Sequence, residues 1–210
     1  MVRAGMICLY SLYQAARKDK DGLALDGNSP VGRHFGSEVV SLCSQIAAEQ
    51  GFYAWGQFDA NGLWRTAYVG KAGFGKVNML RERICKELKT ERIVFWGSGQ
   101  SKRALGLYGA GGTATTDAIK DSQKRALQVE NHFERALRKE GATHIVWVAT
   151  PHLSNDDVNL VEPDLIETLN PAANIQRSAP TSGLQDMTVT VIREMKKQIH
   201  EMRLGEKVRV

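Results

Sequence analysis

The stretch GFYAWGQFDANGLWRTAYVGK, residues 51–71, decides how this chain folds. Two aromatic-rich runs, residues 52–58 and 63–69, flank Asn61-Gly62, the dipeptide favoured in a type I′ hairpin turn. With those two residues as the turn, Trp55 faces Tyr68 and Tyr53 faces Gly70. Side chains along a strand alternate between faces, so Tyr53 and Tyr68 emerge on the same side of the sheet. A slip of one residue would separate them.

Upstream of the hairpin, residues 14–36 carry Lys18, Asp19, Lys20, Asp21, Gly22 and Pro30 and read as an irregular lead-in. Ser37 caps a helix running to about residue 50, with Val40, Cys43 and Ala47 on its apolar face. Downstream, Val77, Leu80, Ile84 and Leu88 keep helical spacing. A short strand at 93–96 and a loop rich in Gly, Ser and Thr at 97–116 follow. A helix over 116–139 then carries Ala126, Val129, Phe133 and Leu137 on one stripe and basic residues elsewhere, and Gly141 ends it. Residues 144–149 are β-branched and aromatic, a buried strand. Residues 158–169 read as a helix with Pro163 near its first turn. Ile192, Met195, Ile199 and Met202 stripe a C-terminal helix.

This order predicts an α+β fold, with a small mixed or antiparallel three-stranded sheet flanked by helices. The expected organisation is an N-terminal extension over 1–50, a central domain over 51–178 interrupted at 97–140, and a C-terminal helix within 179–210.

The 210 residues suffice for one sizeable core. Apolar content of 42 % and charged content of 24 % describe an ordinary soluble globular chain. No apolar run approaches a membrane span, and residues 1–13 read as structure rather than a signal peptide. Cys8, Cys43 and Cys85 form neither a CxxC pair nor a disulfide framework, which fits a reducing, cytoplasmic compartment. The net charge of +5 favours an anionic partner, of which nucleic acid is the commonest.

Gly51-Phe52-Tyr53, Tyr68-Val69-Gly70-Lys71-Ala72, Leu80-Arg81-Glu82-Arg83-Ile84, and Glu162 followed by Leu165-Ile166, Pro171 and Asn174 form a spaced set. In that set the chain resembles the GIY-YIG nuclease family over residues 51–176. The resemblance implies a metal-dependent endonuclease acting on DNA, with Glu162 as ligand to one Mg²⁺ or Mn²⁺ ion that keeps several waters. It implies Tyr53 or Tyr68 as the group that orients or deprotonates water, its phenol lowered by a nearby cation. Arg83 would bind the scissile phosphate, with Arg81 as its rival. Lys71 would tune a tyrosine or hold phosphate, and Asn174 would order the Glu162 loop. Phe52 departs mildly from the small aliphatic residue usual there. Glu87 stands where many relatives carry His or Tyr, and it is spaced to pair with Arg83. His132 or Tyr108 would be substitutes for that missing group.

Other readings compete. Glu162 near a helix start is also a favourable dipole partner. Residues 70–76 fit GxxxxGK, but Val77 stands where a P-loop needs Ser or Thr, so a nucleotide hydrolase ranks third. In a nuclease those glycines and Lys76 would approach DNA phosphates. His144 and His152 lack metal-ligand spacing and read as core or surface residues. The second reading is a nuclease-like DNA-binding module with attenuated catalysis. Restriction, repair and phage or mobile-element roles all remain open, and a palindromic target would require a homodimer.

Overall fold

The computed structural model describes residues 2–18, 27–74, 79–90, 142–171 and 185–207. In chain order these form β1 (Arg3–Cys8), α1 (Tyr10–Lys18), α2 (Pro30–Cys43), β2 (Gly51–Phe58), β3 (Trp64–Ala72), α3 (Leu80–Thr90), β4 (His144–Ala149), α4 (Asn155–Leu169) and α5 (Gln185–Lys207). The expected strand at 93–96, the 97–140 insertion with its helix, His132, Tyr108, Lys76, Val77 and Asn174 lie outside the described residues.

The fold is α+β, but among the described residues the sheet has four strands rather than three, all antiparallel, in the order β1-β4-β2-β3. The additional strand is β1, which pairs along β4 from Arg3–Ala149 to Cys8–His144. The sheet is covered on both faces. On one side Tyr53, Trp55, Ile145 and Trp147 pack with Leu12, Phe35, Val39, Leu80, Ile84 and Leu88 from the first three helices. On the other, Phe52, Ala54, Val69, Val146 and Val148 meet Val158, Val161 and Leu165 of α4 and Val191 and Met195 of α5. Double coverage explains why β2 and β4 are buried along their whole length and carry apolar residues at nearly every position. Among the described residues, no helix is long and apolar enough to cross a membrane.

The hairpin has the expected pairing where it matters. Trp55 faces Tyr68, and Tyr53 faces Gly70. Nearer the turn the geometry differs from expectation. Phe58 pairs with Trp64 and Gly56 with Thr66, so the connection spans five residues, 59–63, and Ala67 is the extra residue of a β-bulge. The Asp59 carboxylate accepts hydrogen bonds from the amides of Asn61 and Leu63, both at 2.9 Å. Gly62 has φ +71°, while Asn61 keeps a negative φ, so the turn is not type I′. The bulge offsets the displaced turn and restores the tyrosine register.

Three helix boundaries also depart from the sequence reading. Ser29, not Ser37, caps α2, accepting from the Gly32 amide at 2.9 Å, and Pro30 takes the first turn where its missing N–H is harmless. The buried stripe is Phe35, Val39 and Cys43, leaving Val40 53 % exposed. Residues 10–18, half in the expected lead-in, form α1. Ser154 caps α4 in a reciprocal box with Asp157, which starts the helix earlier and puts Pro163 in its middle. Where α2 meets α3, the Cys43 thiol hydrogen-bonds Cys85, and burial with that neighbour pushes Cys43 up to about 12.

Candidate active site

The two signature glycines are dictated by packing. A Cβ on Gly51 would collide with the Val148 carbonyl and with Leu80 Cδ1. One on Gly70 would stand 2.5 Å from Tyr53 Cζ and 2.6 Å from its hydroxyl oxygen. Gly70 therefore lets the Tyr53 phenol lie flat across β3, the edge strand. The Tyr53 and Tyr68 rings sit 6.2 Å apart, tilted 56°, on the face that α3 covers.

From α3, Arg83 and Glu87 reach the same place, one helical turn apart. Tyr53 Oη donates to Glu87 Oε1 at 2.6 Å. Arg83 Nε donates to Glu87 Oε1 at 2.8 Å and to Tyr53 Oη at 3.4 Å. The Glu87–Arg83 pair expected from spacing is thus present. Tyr53 is fully buried, whereas Tyr68 is partly open to solvent and hydrogen-bonds Tyr53 from the outer side.

The protein's own groups raise both phenols rather than lower them. Burial first, then the Glu87 charge and Tyr68, hold Tyr53 well above the usual tyrosine value. Burial and Glu87 push Tyr68 up to about 12, against the opposing pull of Arg83. Burial raises Glu87, while its hydrogen bond from Tyr53, the Arg83 charge and the Trp55 indole all favour its ionised form. Burial disfavours charge on Arg83, yet Tyr53 and Glu87 overcome it, so the guanidinium stays charged.

Lys71 follows Gly70 and so points to the opposite face of β3, toward α4. Its Nζ lies 2.6 Å from Glu162 Oε2 and 3.4 Å from Asn159 Oδ1. The Glu162 charge also reaches Tyr68 around the strand edge, raising its phenol. Glu162 sits mid-helix beside Pro163, so it is not a first-turn dipole partner; Asp156 and Asp157 occupy that turn.

Arg81 is elsewhere. Its Nε donates to the Ile46 carbonyl at 2.9 Å and its Nη2 to that of Ser44 at 3.5 Å, tying α3 to the chain entering β2. Arg83 is the arginine at the tyrosines. His144 is a core residue, bonded through Nδ1 to Thr143 at 2.8 Å and edge-on to Phe58, and His152 is exposed.

Asn159 joins this group although the spaced sequence set does not contain it. Its place three residues before Glu162, on the same helical face, is the signal that would have found it. Pro163 lacks an N–H, so it gives the Asn159 carbonyl no helical donor. The Glu162 carboxylate and the Asn159 side-chain oxygen lie together at Lys71 Nζ on one partly exposed face. Such an all-oxygen set suits a hard divalent cation that retains water ligands. Among the described residues no three His, Cys, Asp or Glu cluster.

Compared with protein-family models, characterised proteins and solved structures, the chain gives no match. Its own residues therefore carry the functional reading.

Proposed function

We propose that this chain is a metal-dependent DNA endonuclease of the GIY-YIG kind. One observation carries the reading. Four segments of the chain bring two phenols, an arginine, a lysine and the Glu87 and Glu162 carboxylates to one edge of one sheet. Arg83 would present its guanidinium to the scissile phosphate. Tyr68, the outer phenol, would accept a hydrogen bond from the attacking water, with Tyr53 behind it. Glu162 and Asn159 would hold one Mg²⁺ or Mn²⁺ ion, and Lys71 would move from Glu162 toward phosphate as the cation enters. Such an ion, when bound, neutralises phosphate charge and assists departure of the leaving oxygen. The net charge of +5 favours the polyanionic substrate. The proposed place of action is the cytoplasm, on restriction, repair or mobile-element targets, as a homodimer where the target is palindromic.

The tie of Glu87 to both Arg83 and Tyr53 favours a second reading, a DNA-binding module with attenuated catalysis. Incubating supercoiled plasmid with the protein in Mg²⁺, Mn²⁺ or EDTA separates the two. Metal-dependent nicking is expected, and sequencing the new ends distinguishes a defined site from scattered cuts. Salt-sensitive binding with no cleavage in either metal would establish the module instead.

A further inference from the structure

Neither phenol is a ready base on its own. A Tyr68 phenol at about 12 is ionised in about one molecule in ten thousand at pH 8, and Tyr53 is more deeply buried still. The structure instead places a buried carboxylate at the inner end of a chain of hydroxyls. The Tyr53 proton points at Glu87 Oε1, 2.6 Å away. The Tyr53 oxygen is thereby left to accept from Arg83 Nε at 3.4 Å, and it shares a hydrogen bond with Tyr68. With the Tyr53 proton committed to Glu87, Tyr68 is the donor in that shared bond while both phenols are neutral.

We propose that Glu87 is the final proton acceptor for the attacking water, reached through a wire of Tyr68 and Tyr53. This deepens the endonuclease reading and rests on it. As the water oxygen bonds to phosphorus and the ester P–O bond breaks, the water proton passes to Tyr68. The Tyr68 proton passes to Tyr53, and the Tyr53 proton to Glu87. Glu87 ends as the neutral acid, both phenols end as phenols, and the leaving oxygen takes a proton from solvent. Glu87 then returns its proton outward along the same wire.

The surroundings suit this task. Burial raises the carboxyl toward neutrality, so it is a stronger base than an exposed glutamate. Arg83, 2.8 Å away, pulls against that burial and favours the ionised form. Among the described residues, the other titratable and charged groups bearing on the wire are Tyr53 and Tyr68 themselves and Glu162 beyond the strand edge. The carboxylate thus has a function where relatives of the resembled family carry His or Tyr.

The test is single-turnover plasmid cleavage by the full chain with Mg²⁺ across pH 5.5–9, for wild type, Glu87→Gln, Glu87→Asp and Tyr53→Phe. The Gln amide oxygen still accepts from Tyr53 and Arg83 but takes no proton. Glu87→Gln should lose on the order of 10²-fold in rate at little-changed DNA affinity, and its rate should no longer fall at acid pH. Glu87→Asp should restore part of the rate together with the acid limb. Tyr53→Phe, which leaves the Arg83–Glu87 pair in place, should lose as much as Glu87→Gln and covers the case in which that variant misfolds. A Glu87→Gln enzyme, or a Tyr53→Phe enzyme where Gln misfolds, that keeps wild-type rate and pH profile while Glu162→Gln is dead overturns the wire and spares the endonuclease. A wild-type chain that cuts nothing overturns both.

Discussion

Gly70 lies directly across the β2–β3 ladder from Tyr53, and a methyl group at Gly70 would stand 2.5 Å from the phenol carbon. The obstruction is an aromatic ring held by Glu87 and Arg83, so it has little room to retreat. Gly70→Ala should cost about 1–3 kcal/mol of stability, as overpacked cores do. It should also cost more activity than a site-remote variant of equal destabilisation, because Tyr53 is what moves. Urea unfolding beside cleavage assays checks both, and unchanged stability would contradict the packing account.

Lys71 and Glu162 form an ion pair with both side chains partly open to water. Such pairs contribute up to about 1 kcal/mol, so Lys71→Ala should hardly alter the melting temperature. Lys71 competes with a cation for Glu162, and its removal should tighten Mg²⁺ or Mn²⁺ binding by up to about fivefold. Cleavage should nevertheless fall. Calorimetric metal titration reads the affinity, and weaker binding in the variant would mean that Lys71 supports the cation rather than opposing it.

Both phenols have raised values, which sets the sign of an alkaline effect. Between the ordinary tyrosine value near 10 and about 12, the unfolded chain loses the Tyr68 proton while the folded chain keeps it. Stability present below pH 10 should therefore be lost as pH rises through that window, by on the order of 2–3 kcal/mol from Tyr68. Tyr68→Phe should flatten the loss. Denaturant unfolding from pH 9 to 12 measures it, and a slope unaltered by the substitution would count against the buried setting.

The two arginines of α3 should separate cleanly. Arg81→Ala removes hydrogen bonds to Ile46 and Ser44 and should destabilise by about 1–2 kcal/mol while the folded enzyme still cuts. Arg83→Ala should leave DNA affinity largely intact and abolish cutting. The reverse pattern would transfer the phosphate-binding role to Arg81.

The sheet face shared by Tyr53 and Tyr68 was legible because a period of two is robust to a turn misjudged by one residue, provided that a bulge takes up the difference. The stripe of Leu80, Ile84 and Leu88 and the strand at 144–149 were legible for the same reason, strong periodicity or composition. Residues 3–8 were not. An edge strand seen without its partner is a short apolar run, and only pairing with β4 makes it a strand. The true start of α2 lay in Ser29-Pro30, a cap and first-turn proline hidden in a stretch dominated by turn residues. Pro163 misled because a proline mid-helix is costly in isolation, whereas here packing of Val158, Val161 and Leu165 against the sheet carries the helix past it. Within the site, the identity of Arg83 and the inner position of Glu87 needed three dimensions, since spacing alone allowed Arg81 or Arg83.

The most direct test of the central claim is the rate of Mg²⁺-dependent plasmid nicking under single-turnover conditions, wild type against Glu162→Gln. The substitution keeps the shape of a partly exposed side chain and removes the charge that would hold the cation. Cleavage by the wild type is expected, with a loss of at least about 10²-fold in the variant and the fold and DNA affinity preserved. Cleavage by Glu162→Gln at the wild-type rate would contradict the central claim.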